Sequence, residues 1–319
     1  MSEPLLSVQG LTLDFETRKG RVKALEDISF SLARGEILGI VGESGSGKSV
    51  LSFAIMGLLD AAARMRSGAI RFEGMDLAQK GAVAALRGRE LSMIFQSPRT
   101  ALNPIRRVGQ QIEDVLVRHG PMPRAKAREA AVAAIARVRI PDAERRARAF
   151  PFELSGGMCQ RIMIAMALAC SPSLLIADEP TTGLDVTTQA VVMDLIRDLV
   201  KETRMGAILI THDLALAGEY CDRLMVMHAG HVVETAPTES LFGALRHPYT
   251  RRLFAATPTA AATLDDLAVI PGALPDLRGT LPFCRYRDRC ERCEPDCDSG
   301  PVPFDVIAPD HAVRCRHPA

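Results

Sequence analysis

The sequence predicts an α/β fold that contains a phosphate-binding loop, and three observations support this. An apolar run at 37–41, typical of a buried strand, leads directly into the segment GESGSGKS at 42–49. A second apolar run, at 174–177, ends in the adjacent carboxylates Asp178 and Glu179. β-rich and helix-forming segments also alternate along much of the chain, as expected for parallel strands joined by right-handed crossovers.

Composition limits the classes of protein to be considered. The 319 residues, 47% of them apolar, suffice for one large domain and one small one. The net charge of +1 gives no basic footprint, so no nucleic-acid partner is expected. The N-terminus MSEPLLSVQG does not resemble a signal peptide, and no apolar run has membrane-spanning length. We therefore expect a soluble cytoplasmic chain, and composition leaves a peripheral membrane partner open.

The chain before residue 155 has two regions of different composition. Short β-rich segments dominate the first part, with one helix expected after the glycine-rich loop at 50–59. These β-rich segments are 5–15, 22–32, 36–41, 69–74 and 91–96. From about 103 to 150 alanine and arginine dominate, and helix formers run continuously. This change predicts an inserted α-helical subdomain at about 97–154.

The α/β texture returns after residue 155. A helix is expected at 156–169, strands at 174–177 and 207–210, and a further helix between those strands. Beyond residue 258, proline and alanine/threonine stretches lead to a cysteine-rich tail with little periodicity. We expect a main domain at 1–258 and a small, irregular, cysteine-rich C-terminal extension at 259–319.

The loop after the strand at 37–41 has the spacing of a phosphate cradle. Its glycines allow a tight turn in which successive N–H groups point at the phosphates of a nucleotide. Lys48 would reach the β- and γ-phosphates, and the Ser49 hydroxyl would hold Mg²⁺. The alternative is a Gly/Ser-rich turn with an incidental lysine. The residues expected to bind nucleotide here are Gly42, Glu43, Ser44, Gly45, Ser46, Gly47, Lys48, Ser49 and Val50.

Two further motifs carry chemistry. Asp178 is expected to bind Mg²⁺ and Glu179 to polarise the attacking water as general base, the alternative being a strand followed by solvated acids. In LSGGMCQR at 154–161, Ser155 and two glycines open a helix and offer a second anion site. One nucleotide does not need two such sites, so we expect the second to face the nucleotide of another subunit.

Five motifs in this order, GESGSGKS, IFQSP, LSGGMCQR, LLIADEPTTGLD and ITHD, resemble the nucleotide-binding subunits of ABC transporters over roughly residues 5–257. The resemblance implies a P-loop NTPase core and a head-to-tail dimer. Two ATP molecules would lie between the Walker A loop of one subunit and the LSGG signature of the other. It also implies individual roles. Gln96 would be the Q-loop residue that binds ATP and Mg²⁺, and Ser155, Gly156 and Gly157 would contact the opposite ATP. Asp185 would be the D-loop residue, and His212 would be the switch histidine beside Glu179. For His212 the alternative is a structural histidine.

The segments at 93–104, 155–168, 181–189 and 247–253 are similar to the dipeptide/oligopeptide importer ATPases, a group that includes nickel importers. The similarity implies an energy-coupling ATPase at the cytoplasmic face of the inner (plasma) membrane. Its expected partners are a second homologous ATPase subunit, with a heterodimer favoured over a homodimer, two integral-membrane permease subunits and an external solute-binding protein. The long tail favours peptides over nickel or another small solute. The alternatives outside transport are a soluble ABC ATPase and a redox-sensing regulator.

Five of the eight cysteines lie in the last 36 residues. Their spacing alone does not match the usual ferredoxin or zinc-finger patterns. The family resemblance implies a 4Fe–4S cluster on Cys284, Cys290, Cys297 and Cys315, with Cys293 as a spare. Zinc and reduced structural cysteines are the alternatives.

Two departures from the family pattern affect the expected site. Lys19 stands near the position where most members place an aromatic ring against adenine, and Val22 is close by. Adenine is therefore expected to rest on aliphatic surface. Cys159 replaces an arginine usual in the subfamily, which would put an oxidisable thiol near the opposite phosphates.

Overall fold

The computed structural model describes residues 3–79, 81–257 and 269–319, and these form two compact units. The first unit contains the described residues of 1–33, 37–78 and 209–319, and the second contains 34–36 and 79–208. The expected domain boundary at 258/259 lies outside the described residues. None of the described helices is both long and apolar enough to span a bilayer.

The elements are as follows. The strands are β1 (Leu6–Thr17), β2 (Gly20–Leu32), β3 (Ile37–Val41), β4 (Ala63–Phe72), β5 (Met75–Asp76), β6 (Leu91–Ile94), β7 (Leu174–Asp178), β8 (Gly206–Thr211), β9 (Arg223–His228), β10 (His231–Pro237), β11 (Asp305–Ala308) and β12 (His311–Val313). The helices are α1 (Lys48–Met56), α2 (Ala82–Leu86), α3 (Pro98–Ala101), α4 (Val108–His119), α5 (Arg124–Arg137), α6 (Ala143–Ala147), α7 (Gly156–Leu168), α8 (Val186–Thr203), α9 (Leu214–Tyr220), α10 (Thr238–Gly243) and α11 (Pro248–Ala255).

The first unit contains two groups of paired strands. One is antiparallel, in the order β2-β1-β4-β5. Its central strand β1 buries Leu6, Val8, Leu11 and Leu13, and the register shifts between Val8 and Leu11 keep these leucine and valine side chains in the core. The other runs β11-β12-β10-β9-β3, with β3 and β9 parallel and the other pairs antiparallel. The C-terminal extension thus adds two strands to this sheet.

The second unit is mainly helical and contains the parallel pair β6 and β7. All residues of both strands are buried, as expected for strands covered on both faces. Helices α4 to α6 occupy the alanine- and arginine-rich stretch, and α5 buries Ala127, Ala131 and Ile135 along one face. Strand β8 crosses the division between the two units.

Candidate functional site

The glycine-rich loop lies between β3, which ends at Val41, and α1, which begins at Lys48. Three of its residues, Gly42, Gly45 and Gly47, have positive φ angles of 150°, 82° and 106°. Gly47 caps α1 without a side-chain hydrogen bond. No side chain of Gly47 therefore caps the first amides of α1. Helix N-termini that bind anions have such uncapped amides.

The loop is closely packed at two of these glycines, and at Gly42 the neighbour is a backbone atom. A Cβ at Gly42 would lie 2.2 Å from the carbonyl oxygen of Met227, and one at Gly47 would lie 2.9 Å from Leu25 Cδ2. Lys48 is 6% exposed, and its Nζ donates hydrogen bonds to the carbonyl oxygens of Gly42 at 2.7 Å and Glu43 at 2.9 Å. The ammonium group therefore sits within the curve of the loop.

The carboxylate motif lies at the end of β7. Asp178 is the last strand residue and is buried, and Glu179 follows with a left-handed φ of 49°. Gln96 Nε2 donates to Glu179 Oε2 at 2.8 Å, and Thr182 Oγ1 donates to the same oxygen at 3.0 Å. The structure thus brings Gln96 and Glu179 together. Sequence reasoning missed Thr182, whose only signal was its place in the same short motif.

The signature segment and Asp185 are also neighbours. Ser155 caps α7, and its Oγ accepts a hydrogen bond from the Met158 amide at 3.3 Å. Asp185 caps α8, where its carboxylate accepts bonds from Thr188 N at 3.0 Å and Thr188 Oγ1 at 2.7 Å. These bonds lower the pKa of Asp185. A Cβ at Gly157 would lie 2.7 Å from Thr188 Cγ2, so the start of α7 packs closely on the first turn of α8.

The remaining predicted residues are divided between the units. Ser49 and His212 are exposed and belong to the first unit, whereas Gln96, Asp178 and Glu179 belong to the second. His212 follows β8, and the next residue, Asp213, caps α9 by accepting a bond from Leu216 N at 3.0 Å. The first unit thus contains the glycine-rich loop and His212, and the second contains Gln96, Asp178 and Glu179.

The two departures from the family pattern lie in different environments, and only the position of Cys159 differs from the expected one. Cys159 is buried and its thiol donates to the Pro151 carbonyl oxygen at 3.3 Å, so it faces the protein interior rather than a surface site. Val22 is half-buried and forms an isolated β-bridge with Arg278 of the extension. Lys19 is exposed.

Four of the five tail cysteines line one cavity, namely Cys284, Cys290, Cys297 and Cys315. Cys293 is exposed and does not line it, and no disulfide joins any of the eight cysteines, all of which lie in the described residues. Burial, together with the nearby thiols of Cys297, Cys315 and Cys290, raises the pKa of Cys284 to about 11. A second set of donors overlaps this cluster: one ligand atom each from Asp296, Cys297 and His317 lie within 4.8 Å of one another.

Solved structures with this fold are ATP-binding cassettes. An ATP-binding cassette dimer in a post-hydrolysis state, bound to ADP and phosphate, superimposes with a TM-score of 0.65 and 25% identity, covering 73% of this chain and 98% of that one. CbiO1 from Clostridium perfringens, part of the ABC transporter complex CbiONQ, gives a TM-score of 0.65 and 29% identity over 76% of this chain and 92% of that one. The fold and the glycine-rich loop therefore define an ATP-binding cassette.

The sequence relatives narrow this class. Residues 25–182 match the ABC transporter family, and residues 233–297 match the oligopeptide/dipeptide transporter C-terminal region. The oligopeptide transport ATP-binding protein OppD of Escherichia coli K12 is 43% identical over 99% of this chain and 94% of its own length. The dipeptide transport ATP-binding protein DppD of the same strain is 42% identical over 98% of this chain and 97% of its own. The chain belongs to the ABC transporter ATP-binding family, in the branch with the oligopeptide/dipeptide C-terminal region, which confirms the resemblance seen in the motifs.

Proposed function

We propose that this chain is the ATP-hydrolysing, energy-coupling subunit of an importer for di- or oligopeptides. The observation that carries the proposal is the identity of 42–43% with OppD and DppD over nearly the whole of each chain, including the C-terminal region at 233–297. A match confined to the cassette would support only nucleotide binding. The shared C-terminal region is what favours peptide transport.

We propose that ATP binds with its phosphates in the loop formed by Gly42, Glu43, Ser44, Gly45, Ser46, Gly47, Lys48, Ser49 and Val50. The position of the Lys48 ammonium within this loop supports the assignment. Ser49, Gln96 and Asp178 would hold Mg²⁺, which neutralises phosphate charge when bound. Glu179 would act as general base, and its fixed orientation by Gln96 and Thr182 supports this role. His212 would contact the γ-phosphate.

The active form in this proposal is a dimer. Ser155, Gly156 and Gly157 would contact the ATP held by the opposite subunit, and the adjacent Asp185 would communicate across the interface. A heterodimer with a second homologous ATPase is favoured by the subfamily resemblance. The main domain at 1–258 would pass the closing motion through the helical subdomain at about 97–154 to two permease subunits at the cytoplasmic face of the inner membrane. An external binding protein would deliver the peptide.

We propose further that Cys284, Cys290, Cys297 and Cys315 of the extension at 259–319 hold a 4Fe–4S cluster. Their thiols line one cavity, and thiolates are the ligands that iron–sulfur clusters require. Iron and sulfide in anaerobically purified protein would support the cluster, whereas stoichiometric zinc would refute it.

Co-purification from gently solubilised native membranes tests the transport function. The tagged chain is expected to recover two multi-span permeases and a second ATPase. The ATPase activity of that complex should rise when a peptide-loaded binding protein is added. An untagged strain is the control. Recovery of soluble partners alone, at comparable expression, would refute the importer and favour a non-transport ATPase.

A further inference from the structure

A buried arginine of the C-terminal extension binds the glycine-rich loop. Arg289 Nη1 and Nη2 donate to the two carboxylate oxygens of Glu43 at 2.8 and 2.9 Å. Its Nε donates to the Pro271 carbonyl oxygen at 2.7 Å, and its side chain is 4% exposed. Bidentate arginine–carboxylate pairs fix direction as well as distance, so Arg289 constrains the position of Glu43.

Glu43 is held at its backbone as well. Its amide donates to the hydroxyl of Tyr249 at 2.9 Å, and Tyr249 is fully buried. The ring of His228 packs on Tyr249 with a centroid distance of 4.4 Å, and its Nδ1 lies 3.8 Å from Glu43 Oε2. Burial raises the pKa of Glu43, but the hydrogen bonds and charge of Arg289 outweigh this, and the net pKa is lowered. Glu43 is therefore a carboxylate at neutral pH.

Glu43 also contacts Lys48, the lysine of the loop, through its backbone. The carbonyl oxygen of Glu43 accepts one of the hydrogen bonds from Lys48 Nζ. A displacement of Glu43 would thus remove an acceptor that holds the lysine. The extension also approaches the loop at a second point, because a Cβ at Gly45 would lie 3.2 Å from Leu274 Cδ1.

We propose that Arg289 is a positioning residue for nucleotide binding, which holds the phosphate loop in its binding conformation through Glu43. The inference rests on the proposed nucleotide site and adds to it a residue of the C-terminal extension. A loop that is ordered before the ligand arrives loses less conformational freedom on binding. Without Arg289, only a fraction of molecules has the competent loop, and the apparent affinity falls by that fraction.

The test measures nucleotide affinity in the full chain with a fluorescent ADP analogue. Arg289→Gln is expected to raise the dissociation constant about tenfold, a typical size for coupling between sites. Arg289→Lys, which keeps the charge but loses the bidentate geometry, should recover part of the loss. Arg252→Gln is the control for loss of an arginine–carboxylate pair, because Arg252 forms a more exposed, single-bonded ion pair with Glu291 that does not involve the loop. In steady-state hydrolysis, Arg289→Gln should raise KM for ATP and leave kcat nearly unchanged.

Two further variants distinguish an error in the positioning role of Arg289 from an error in the proposed nucleotide site. Tyr249→Phe removes only the hydroxyl that accepts from Glu43 N and preserves the ring, so it tests the same loop position if Arg289→Gln does not fold. A lower melting temperature with unchanged nucleotide affinity in both variants would overturn the positioning role. Lys48→Ala tests the site itself: if it binds nucleotide as well as the unmodified chain does, the proposed site is wrong, whatever Arg289 does.

Discussion

Gln96 Nε2 lies 2.8 Å from Glu179 Oε2, so the two residues that follow the neighbouring parallel strands β6 and β7 are joined by a side-chain hydrogen bond. Thr182 bonds the same carboxylate oxygen. Glu179 also has a left-handed φ, a conformation that costs free energy and is found at functional sites where the surroundings enforce it. The carboxylate is thus fixed both by its backbone and by its partners.

Replacement of Glu179 by glutamine should nearly abolish ATP turnover and leave ATP binding intact. The amide has the size of the carboxylate but cannot accept the proton of the attacking water, so we expect hydrolysis to fall at least about 100-fold. Phosphate release and nucleotide affinity are measured in parallel. Glu202→Gln removes an exposed carboxylate of the same unit as a control. Normal turnover in Glu179→Gln would show that this residue is not the base.

Alanine at Gly42, in the glycine-rich loop, should be more disruptive than alanine at Gly10, in β1. Both glycines have positive φ, 55° at Gly10 and 150° at Gly42, so alanine is strained at either position. At Gly10 nothing lies within 4 Å of the added Cβ, whereas at Gly42 the Met227 carbonyl oxygen lies 2.2 Å away and belongs to the backbone of β9. We expect Gly42→Ala to lose nucleotide binding and a larger share of its unfolding free energy in urea. Equal effects of both substitutions would contradict the packing argument.

Local sequence patterns predicted the elements next to the site. Strand β3, helix α7 and strand β7 lie within a residue of the expected bounds, because each has a continuous apolar run or a clear capping sequence. Strand β4 begins at Ala63, six residues earlier than expected. The first half of β4 is mostly exposed and has no alternating apolar pattern, so its pairing with β1 rather than its own sequence makes it a strand.

Long-range contacts could not be predicted in this way. The tail was expected to be irregular, yet β12, only three residues long, pairs with β10. The pair Arg289–Glu43 joins residues 246 positions apart. Neither contact leaves a periodic signal in the sequence, because a three-residue strand and a single buried ion pair are both defined by the partner rather than by the neighbouring residues.

Mild acid should destabilise the first unit through its buried histidines. Burial lowers the pKa of His228 and His231 to about 4 and that of His247 to about 3, from 6.5. The unfolded chain therefore binds more protons than the folded one as the pH falls below 6.5, and stability is lost progressively towards about pH 4. Nearby His231 and the charge of Arg285 lower the pKa of Glu26 to about 2, so the contribution of Glu26 to stability is lost at lower pH, below about 4.5.

Urea unfolding at about pH 7.5 and about pH 5 measures this loss. His228→Phe keeps an aromatic ring between Tyr249 and Tyr286 but removes the titrating group, so the stability difference between the two pH values should shrink. The same substitution at the half-exposed His119 of the second unit is the control. Stability that is constant between the two pH values would contradict the argument.

Metal binding by the tail should depend on the four cavity cysteines and not on His317. Serine at Cys284 or Cys315 removes a thiolate from the cavity, so both variants should lose most of the bound metal, measured by metal and sulfide analysis after anaerobic purification. Cys293→Ser, which alters an exposed thiol outside the cavity lining, should retain it. His317→Ala separates the two overlapping donor sets. If this variant loses its metal while Cys284→Ser keeps it, the ligands are Asp296, Cys297 and His317, and the four-thiolate assignment is wrong.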